Sequence, residues 1–166
     1  MYMSYPLFSC LALIEEETSR LYEEIVKKAE LPQVEVLLFN ILQGTVKHRE
    51  VLKHIAKAKG QTYPPPVGDC EEKMGKFFKE SIEFTRIMVD DLRKGMPVIK
   101  VLKKLAGFEE GIGEEYLTQI HSRIGTRIES DPAVKRVLEE ISRDEHRHMK
   151  DLQKAITMIT REKRAR

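Results

Sequence analysis

The stretch that decides the fold is residues 138–155, which read LEEISRDEHRHMKDLQKA. Its apolar residues recur at intervals of three and four, the spacing that places side chains on one face of an α-helix. A glutamate and a histidine fall in the middle of that same face. The members of the face are Leu138, Ile141, Glu145, His148, Leu152 and Ala155. The pattern predicts a helix whose buried face carries two ionisable side chains.

Two weak internal repeats extend this pattern over the chain. One hundred residues earlier, a second face of the same spacing contains Leu38, Ile41, Thr45, His48, Leu52 and Ile55. At an offset of 94, Ile14-Glu15-Glu16 with Tyr22 resembles Phe108-Glu109-Glu110 with Tyr116. The repeats predict two related helix pairs.

Strand patterns are nearly absent, and the helical period runs throughout the sequence. It predicts five helices, over about residues 6–30, 32–59, 69–94, 97–125 and from 131 into the basic C-terminal residues. The expected boundary residues are Pro32, Gly60, Asp69 with Glu72, Gly95, and Asp131 with Pro132. The prolines suit a first helical turn, and the glycines suit a C-terminal stop.

The predicted architecture is all-α, a single domain of 166 residues built as a four-helix bundle. Two antiparallel pairs, residues 7–59 and 97–160, are joined by a crossover, residues 60–95, that contains an additional long helix. That helix has a broad apolar side, which packs on the bundle or, alternatively, forms a dimer surface. Residues 161–166 form a basic tail, interpreted as solvated.

Charge, hydropathy and cysteine content argue against several classes of protein. A net charge of +2 is too small to indicate a nucleic-acid-binding protein. No apolar run approaches the roughly 20 residues of a membrane span, and the first residues make a poor signal peptide. Cys10 and Cys70 form no CxxC motif, so reduced thiols and a cytoplasmic location are expected.

The central prediction concerns the polar residues on the apolar helix faces. Those expected to point inward, near the middle of their helices, are Glu15, His48, Glu109, Glu145 and His148. An isolated ionised carboxylate in a core costs several kcal/mol, and neighbouring carboxylates also repel. Bound cations would neutralise them, and the mixture of oxygen and nitrogen donors suits iron or manganese, with zinc as an alternative.

This pattern resembles the ferritin-like di-iron carboxylate proteins, and among them the rubrerythrin-like branch, over about residues 7–58 and 97–160. That family places a lone glutamate on each of two helices and Glu-x-x-His on each of the other two. Glu15 and Glu109 match the lone glutamates, and Glu145 with His148 matches one Glu-x-x-His. The resemblance implies two iron ions, no organic cofactor, and an oxidoreductase acting on dioxygen or peroxide.

The sequence departs from the family at several positions. Thr45 stands where the family has its second bridging glutamate, and Ile112 replaces an additional carboxylate. The absence of rubredoxin-type cysteines implies an external electron donor. Thr45, Tyr22 and Tyr116 are expected to support ligands rather than to bind metal.

Each residue also has a structural interpretation. Glu145 and His148 would then be a surface pair, His48 a core histidine bonded to Thr45 or to a carbonyl, and the two lone glutamates part of a charged face. Tyr22 and Tyr116 would be packing residues. Three functions therefore stay open: an oxidoreductase, a metal-binding or storage protein without turnover, and a metal-free bundle serving as a scaffold. A homo-oligomer, most simply a dimer, is expected in each case.

Overall fold

The computed structural model describes residues 6–113, 116 and 131–166. Every regular element in this part of the chain is helical, which confirms the all-α prediction there. The elements are α1 (Leu7–Lys28), α2 (Pro32–Ala58), α3 (Val67–Met74), α4 (Lys76–Arg93), α5 (Val98–Phe108), a π-helical turn (Glu109–Gly113) and α6 (Pro132–Ala165). None of the described helices contains a segment long and apolar enough to span a membrane.

The first two helices form an antiparallel pair connected by residues 29–31. Pro32 is the first residue of α2, where its missing N–H removes no helical hydrogen bond. Gly60, just beyond α2, has a φ of 72°, which is the left-handed conformation common after helices. The Gln61 side chain accepts hydrogen bonds from the backbone N–H groups of Phe8 and Ser9, so the start of α1 lies beside the end of α2.

The crossover contains two helices rather than the single long helix predicted from the sequence. Gly75, with a φ of 71°, separates α3 from α4, and this is a conformation that glycine adopts without steric cost. The start of α3 also differs from the prediction. The helix begins at Val67 behind Pro66, so Asp69 lies in the first turn and is not the N-cap that its spacing to Glu72 indicated.

The α4 helix packs along α1 and runs in the same direction. Arg86 pairs with Glu17 at 3.3 Å, and Arg93 pairs with Glu24 at 3.0 Å. Both pairs have the same sequence separation of 69 residues, as two parallel helices require. The crossover therefore carries the chain back to the end where α1 finishes.

The second half of the chain begins with α5, which is shorter than predicted. The helix expected over residues 97–125 is α-helical only to Phe108 and continues as the π-helical turn. Tyr116 is also helical, and the remainder of the predicted segment, to residue 125, lies outside the described residues. Asp131 caps α6 as predicted, accepting the Ala133 N–H at 2.9 Å. The basic tail is helical to Ala165.

The last helix packs against both α2 and α5. His48 of α2 contacts Asp144 and Glu145 of α6, whereas Gly44, one turn earlier in α2, faces His148, one turn later in α6. This reversed order shows that α2 and α6 are antiparallel. The two helices that carry the offset-100 repeat are therefore direct neighbours.

Two apolar clusters divide the interior. The first joins the start of α1 and the end of α2 to α3, the start of α4 and the start of α6, and it includes Leu11, Leu52 and Leu138. The second lies at the opposite end and includes Ile25, Leu38 and Leu102. Polar residues from the middle of the helices lie between the two clusters and form a middle layer. Its predicted members are Glu15, Thr45, His48, Glu109, Glu145 and His148, and Tyr22 and Tyr116 border it from the two clusters.

The two cysteines form a disulfide between α1 and α3. Cys10 and Cys70 are 60 residues apart in sequence, and their Cα atoms lie 5.7 Å apart. The prediction of reduced thiols is therefore wrong. It depended on the absence of a CxxC motif, and local spacing carries no information about pairing between distant cysteines. The cytoplasmic location that was inferred from reduced thiols stays a prediction.

Candidate metal centre

Glu15, His48 and Glu145 meet in the middle layer. Their potential ligand atoms, one from each residue, all lie within 4.8 Å of one another. The Nδ1 atom of His48 is 3.1 Å from Oε1 of Glu145 and 3.6 Å from Oε1 of Glu15. His48 is 1% exposed and Glu15 is 4% exposed, whereas the Glu145 side chain keeps 21%. The site is therefore nearly closed, and its remaining exposure is at Glu145.

Glu109 and His148 also lie beside Glu145. All three residues line a cavity of about 20 Å³, together with Thr45 and Tyr22. The Nδ1 atom of His148 lies 3.6 Å from Oε1 of Glu145. Glu145 is thus common to two donor groups: one with Glu15 and His48, the other with Glu109 and His148.

A second cavity, of about 50 Å³, lies on the side of the site that faces α4. Its polar lining includes the carboxylates of Glu15, Glu109 and Glu145, and its apolar lining includes Ile14 and Phe77. A space of about 10–15 Å³ on this measure holds one water molecule. The smaller cavity therefore has room for one ion or water molecule among the carboxylates, and the larger cavity has room for a few.

The π-helical turn begins at Glu109, so this ligand candidate occupies a point where the helix widens. Such turns are rare and occur frequently at functional sites. The sequence repeat selected Glu109 as a ligand candidate but contained no signal of the π-helical geometry.

The buried imidazole of His48 takes the role of a cation in this structure. Burial alone would lower the pKa of His48, but hydrogen bonds with Glu145 and Glu15 outweigh burial and raise that pKa. Burial alone would raise the pKa of Glu145, but hydrogen bonds with His148 and His48 lower it. His48 and Glu145 are thus an imidazolium–carboxylate pair.

The other two carboxylates are not neutralised in this way. Burial, together with repulsion from Glu145 and Glu15, raises the pKa of Glu109 to about 8. Burial and repulsion from Glu145 also raise the pKa of Glu15, against the opposing effects of His48 and Tyr116. Without a cation, Glu109 therefore retains its proton at neutral pH. Raised carboxyl pKa values of this kind indicate a site that contains more carboxylates than positive charges.

Asp144 is a site residue that the sequence analysis missed. Its Oδ2 atom accepts a hydrogen bond from Nε2 of His48 at 3.0 Å, and Arg147 pairs with its other oxygen. A signal was available: Asp144 comes three residues after Ile141 and four before His148, so it lies on the edge of the same helix face. The carboxylate fixes the orientation of the His48 ring, whose Nδ1 atom faces Glu15 and Glu145.

The residues expected to support the ligands have different surroundings. Tyr116 donates a hydrogen bond of 2.6 Å to Glu15, and burial with the nearby Glu15 charge raises its pKa well above the usual value, so the phenol keeps its proton. Tyr22 lines the smaller cavity. Thr45 is buried there too, and its hydroxyl donates to the Ile41 carbonyl at 3.0 Å. This hydroxyl is not bonded to His48, contrary to one structural interpretation of that histidine.

Gly44 is a second residue that the sequence analysis did not assign. A Cβ atom at this position would lie 2.3 Å from Nε2 and 2.5 Å from Cε1 of His148. Such separations are far inside van der Waals contact. Gly44 therefore leaves the space on α2 that the His148 ring occupies.

The arrangement fits a divalent cation. Four helical segments supply carboxylate oxygens and imidazole nitrogens, a donor set that suits iron, manganese or zinc. The raised pKa values of Glu15 and Glu109 show that added positive charge would be favourable there. Comparison of the chain with protein-family models, with curated proteins and with solved structures finds no match.

Proposed function

We propose that this chain is a ferritin-like four-helix bundle that binds one or two divalent metal ions in its middle layer. The bundle would consist of α1, α2, α5 and α6, with α4 as part of the crossover. The antiparallel packing of α2 on α1 and on α6, and the return of the chain along α1 through α4, support this assignment.

The observation that carries the proposal is that Glu145 is common to two donor groups. One group offers Glu15 and His48, and the other offers Glu109 and His148. A carboxylate has two oxygens and can contact an ion on each side. Glu145 would be shared by two ions, and Thr45, a neutral hydroxyl that lines the smaller cavity, would add no anionic ligand to either of them.

The chemistry that fits this site best is oxidation–reduction with dioxygen or peroxide, for which iron or manganese supplies the electrons when bound. The residues of the chain would position the ligands and exclude water. Tyr116 holds Glu15, Asp144 holds His48, and apolar clusters close both ends. The cavity beside Glu15 and Glu109 is small, about 50 Å³, which favours a substrate the size of dioxygen or hydrogen peroxide.

A second candidate is a metal-free bundle, and one observation favours it. His48 is bonded at both ring nitrogens, to Glu145 and to Asp144, and as an imidazolium it already supplies one positive charge to the layer. In this alternative the site would be a buried ion pair in a scaffold protein. Glu109 would then remain as a neutral acid.

Metal content decides between the candidates. The purified protein is treated with a chelator, reconstituted anaerobically with ferrous iron or Mn²⁺, desalted, and measured by mass spectrometry. Retention of close to two ions supports the full site, and close to one supports a single donor group. Glu145→Gln should abolish retention, whereas Glu139→Gln, an exposed glutamate of the same helix, should not change it. No retained metal in the wild-type protein would leave the scaffold candidate.

Turnover is tested separately from binding. Peroxide or dioxygen consumption is followed in the loaded protein with an excess of a small-molecule reductant. Consumption that continues through many equivalents and disappears in His148→Gln supports an oxidoreductase. His146→Gln is the matched control, because His146 is exposed and bonds the Ser142 carbonyl of its own helix. Metal retention without consumption would indicate binding or storage.

A further inference from the structure

The disulfide between Cys10 and Cys70 lies in the apolar cluster next to the candidate site. Both cysteines are fully buried, and they belong to the apolar cluster that closes one end of the middle layer. Cys10 precedes Glu15 by five residues on α1, a rise of about 7.5 Å. Along the axis of α1, one cysteine of the disulfide is therefore only about one and a half helical turns from a ligand candidate.

Three side chains connect the disulfide cluster to the site. Ile14, Phe77 and Tyr116 pack in the same cluster as the cysteines, and all three also line the cavity that contains Glu15 and Glu109. Tyr116 is the most direct link, because its hydroxyl bonds Glu15 and its ring packs near Phe77. The interior between the sulfur atoms and the carboxylates is thus continuous packed protein.

The helix that carries Cys70 is loosely held. Within α3, Cys70 and Met74 are buried and the other six residues are exposed. The helix is bounded by Pro66 on one side and by Gly75, with its positive φ, on the other. When the disulfide is reduced, two side chains hold α3 to the body of the protein. Local opening of such a thinly packed segment would admit an external thiol.

We infer that Cys10 and Cys70 form the two-electron reductant of the candidate site, and that the sequence thus carries its own electron source for peroxide reduction. This inference depends on the proposed function. In the step, the two thiols lose two electrons and two protons, and the S–S bond forms. Hydrogen peroxide in the cavity takes up the two electrons and the two protons. Its O–O bond breaks, and two molecules of water result.

The cycle closes by thiol–disulfide exchange. An external dithiol attacks one sulfur of the Cys10–Cys70 disulfide through the opened α3, forms a mixed disulfide, and leaves as its own disulfide when its second thiol attacks. The two protein thiols are thereby restored. A dithiol is thus the electron donor that the chemistry of this site requires, in place of a dedicated metalloprotein.

The test follows thiol content rather than turnover. The protein is reduced, freed of reductant, loaded with metal anaerobically, and treated with less than one equivalent of hydrogen peroxide. Remaining thiols are then alkylated and located by mass spectrometry. The expected result is loss of two thiols, both at Cys10 and Cys70, for each peroxide consumed. It should be at least about tenfold faster than in the metal-free reduced protein, since direct attack of peroxide on the thiols would lack metal assistance.

Two variants keep this test independent of folding problems at the cysteines. Glu145→Gln retains both thiols and should oxidise them only at the metal-free rate. Glu139→Gln should oxidise them at the wild-type rate. Hydrogen–deuterium exchange of α3 should also increase on reduction of the wild-type protein, and unchanged exchange would contradict the proposed access route.

The outcomes separate this inference from the proposed function. If the protein retains no metal, both proposals fail. If it retains metal and consumes peroxide while the cysteine thiols persist, the site stands and the internal reductant is excluded. Equal rates of thiol oxidation with and without metal would also exclude it, and the disulfide would then be a structural crosslink only.

Discussion

The Nε2 atom of His48 lies 3.0 Å from Oδ2 of Asp144, while Nδ1 of the same ring lies 3.1 Å from Oε1 of Glu145. One imidazole therefore joins two consecutive residues of α6 through its opposite edges. This geometry fixes both the rotation of the ring and the nitrogen that faces the candidate site. A carboxylate that holds a ligating histidine in this way affects metal affinity without contacting the metal.

Asp144→Asn should therefore weaken metal binding. The amide keeps the size of the carboxylate but loses its negative charge. That charge orients the His48 ring and makes its Nδ1 atom a stronger electron-pair donor to a metal ion. We expect a loss of about 10- to 100-fold in metal affinity, measured by competition with a chelator of known affinity. Asp151→Asn, on the same helix, should leave the affinity unchanged. An unchanged affinity in Asp144→Asn would show that the hydrogen bond has no role in binding.

His48→Gln should destabilise the metal-free protein. Removal of the imidazolium takes away a positive charge that faces both Glu145 and Glu15, which costs about 3 kcal/mol of the free energy of unfolding. The His48 contribution is complete below the ordinary histidine pKa of 6.5, and the Glu145 contribution is complete above the ordinary glutamate pKa of 4.5. Urea denaturation near pH 5.5 therefore gives the largest difference.

The control for that measurement is His54→Gln, because His54 is exposed. Its stability should equal that of the wild-type protein. Two further measurements bear on the explanation. The cost of His48→Gln should shrink as the pH falls towards 2, where the carboxylates take up protons. A cost that does not depend on pH would indicate lost packing rather than a lost charge.

Glu109 gives the stability of the metal-free protein a specific pH dependence. Its pKa is about 8 when folded and 4.5 in the ordinary glutamate, so between these values the folded state binds more protons than the unfolded state. Stability therefore falls as the pH rises through this window, by roughly 1.4 kcal/mol per pH unit for one proton. Glu109→Gln should make the slope shallower by this amount in denaturation curves recorded with chelator present.

Glu110→Gln provides the comparison, since Glu110 is the exposed neighbour of Glu109. It should retain the wild-type slope. The same proton must leave Glu109 when a metal binds, so Glu109 should make the apparent metal affinity rise with pH up to about 8, by about tenfold per unit for the proton it loses. If Glu109→Gln and the wild-type protein have parallel stability curves, Glu109 is ionised in the folded state.

Helical periodicity was sufficient to identify the candidate site, because ionisable site residues occupy positions on helix faces that are otherwise apolar. The apolar faces of α2 and α6 pass through His48 and Glu145, and the structure brings these two side chains into contact. The repeat at an offset of 94 likewise selected Glu15 and Glu109, which line one cavity. A buried helix face is a local property, so one sequence predicts it well.

Features that depend on a single backbone angle or on distant pairing were not predictable in this way. Gly75 breaks the crossover helix through its positive φ, although a glycine within a helical pattern is often tolerated. The Cys10–Cys70 disulfide depends on how the α1–α2 pair positions α3. Asp144 and Gly44 matter because of their neighbours on another helix, and the helical period alone does not identify those neighbours.

Gly44→Ala tests how closely α2 and α6 must approach for the site to form. In a helix interior, alanine stabilises by about 1 kcal/mol over glycine, so the substitution would be favourable if the added methyl group had space. It does not, because His148 occupies the position. The His148 ring must rotate away or the helices must separate, and the ring then no longer lies in contact with Glu145 and the smaller cavity.

Gly44→Ala should therefore lower metal affinity and, where two ions bind, lose the ion held by Glu109 and His148 first. Gly107→Ala in α5 is the matched control, because an added Cβ there meets nothing within 4 Å. It should gain stability by about 1 kcal/mol without a change in metal content. Metal stoichiometry by mass spectrometry and thermal unfolding of both variants make the comparison. Two ions retained by Gly44→Ala with wild-type affinity would show that His148 is not a ligand.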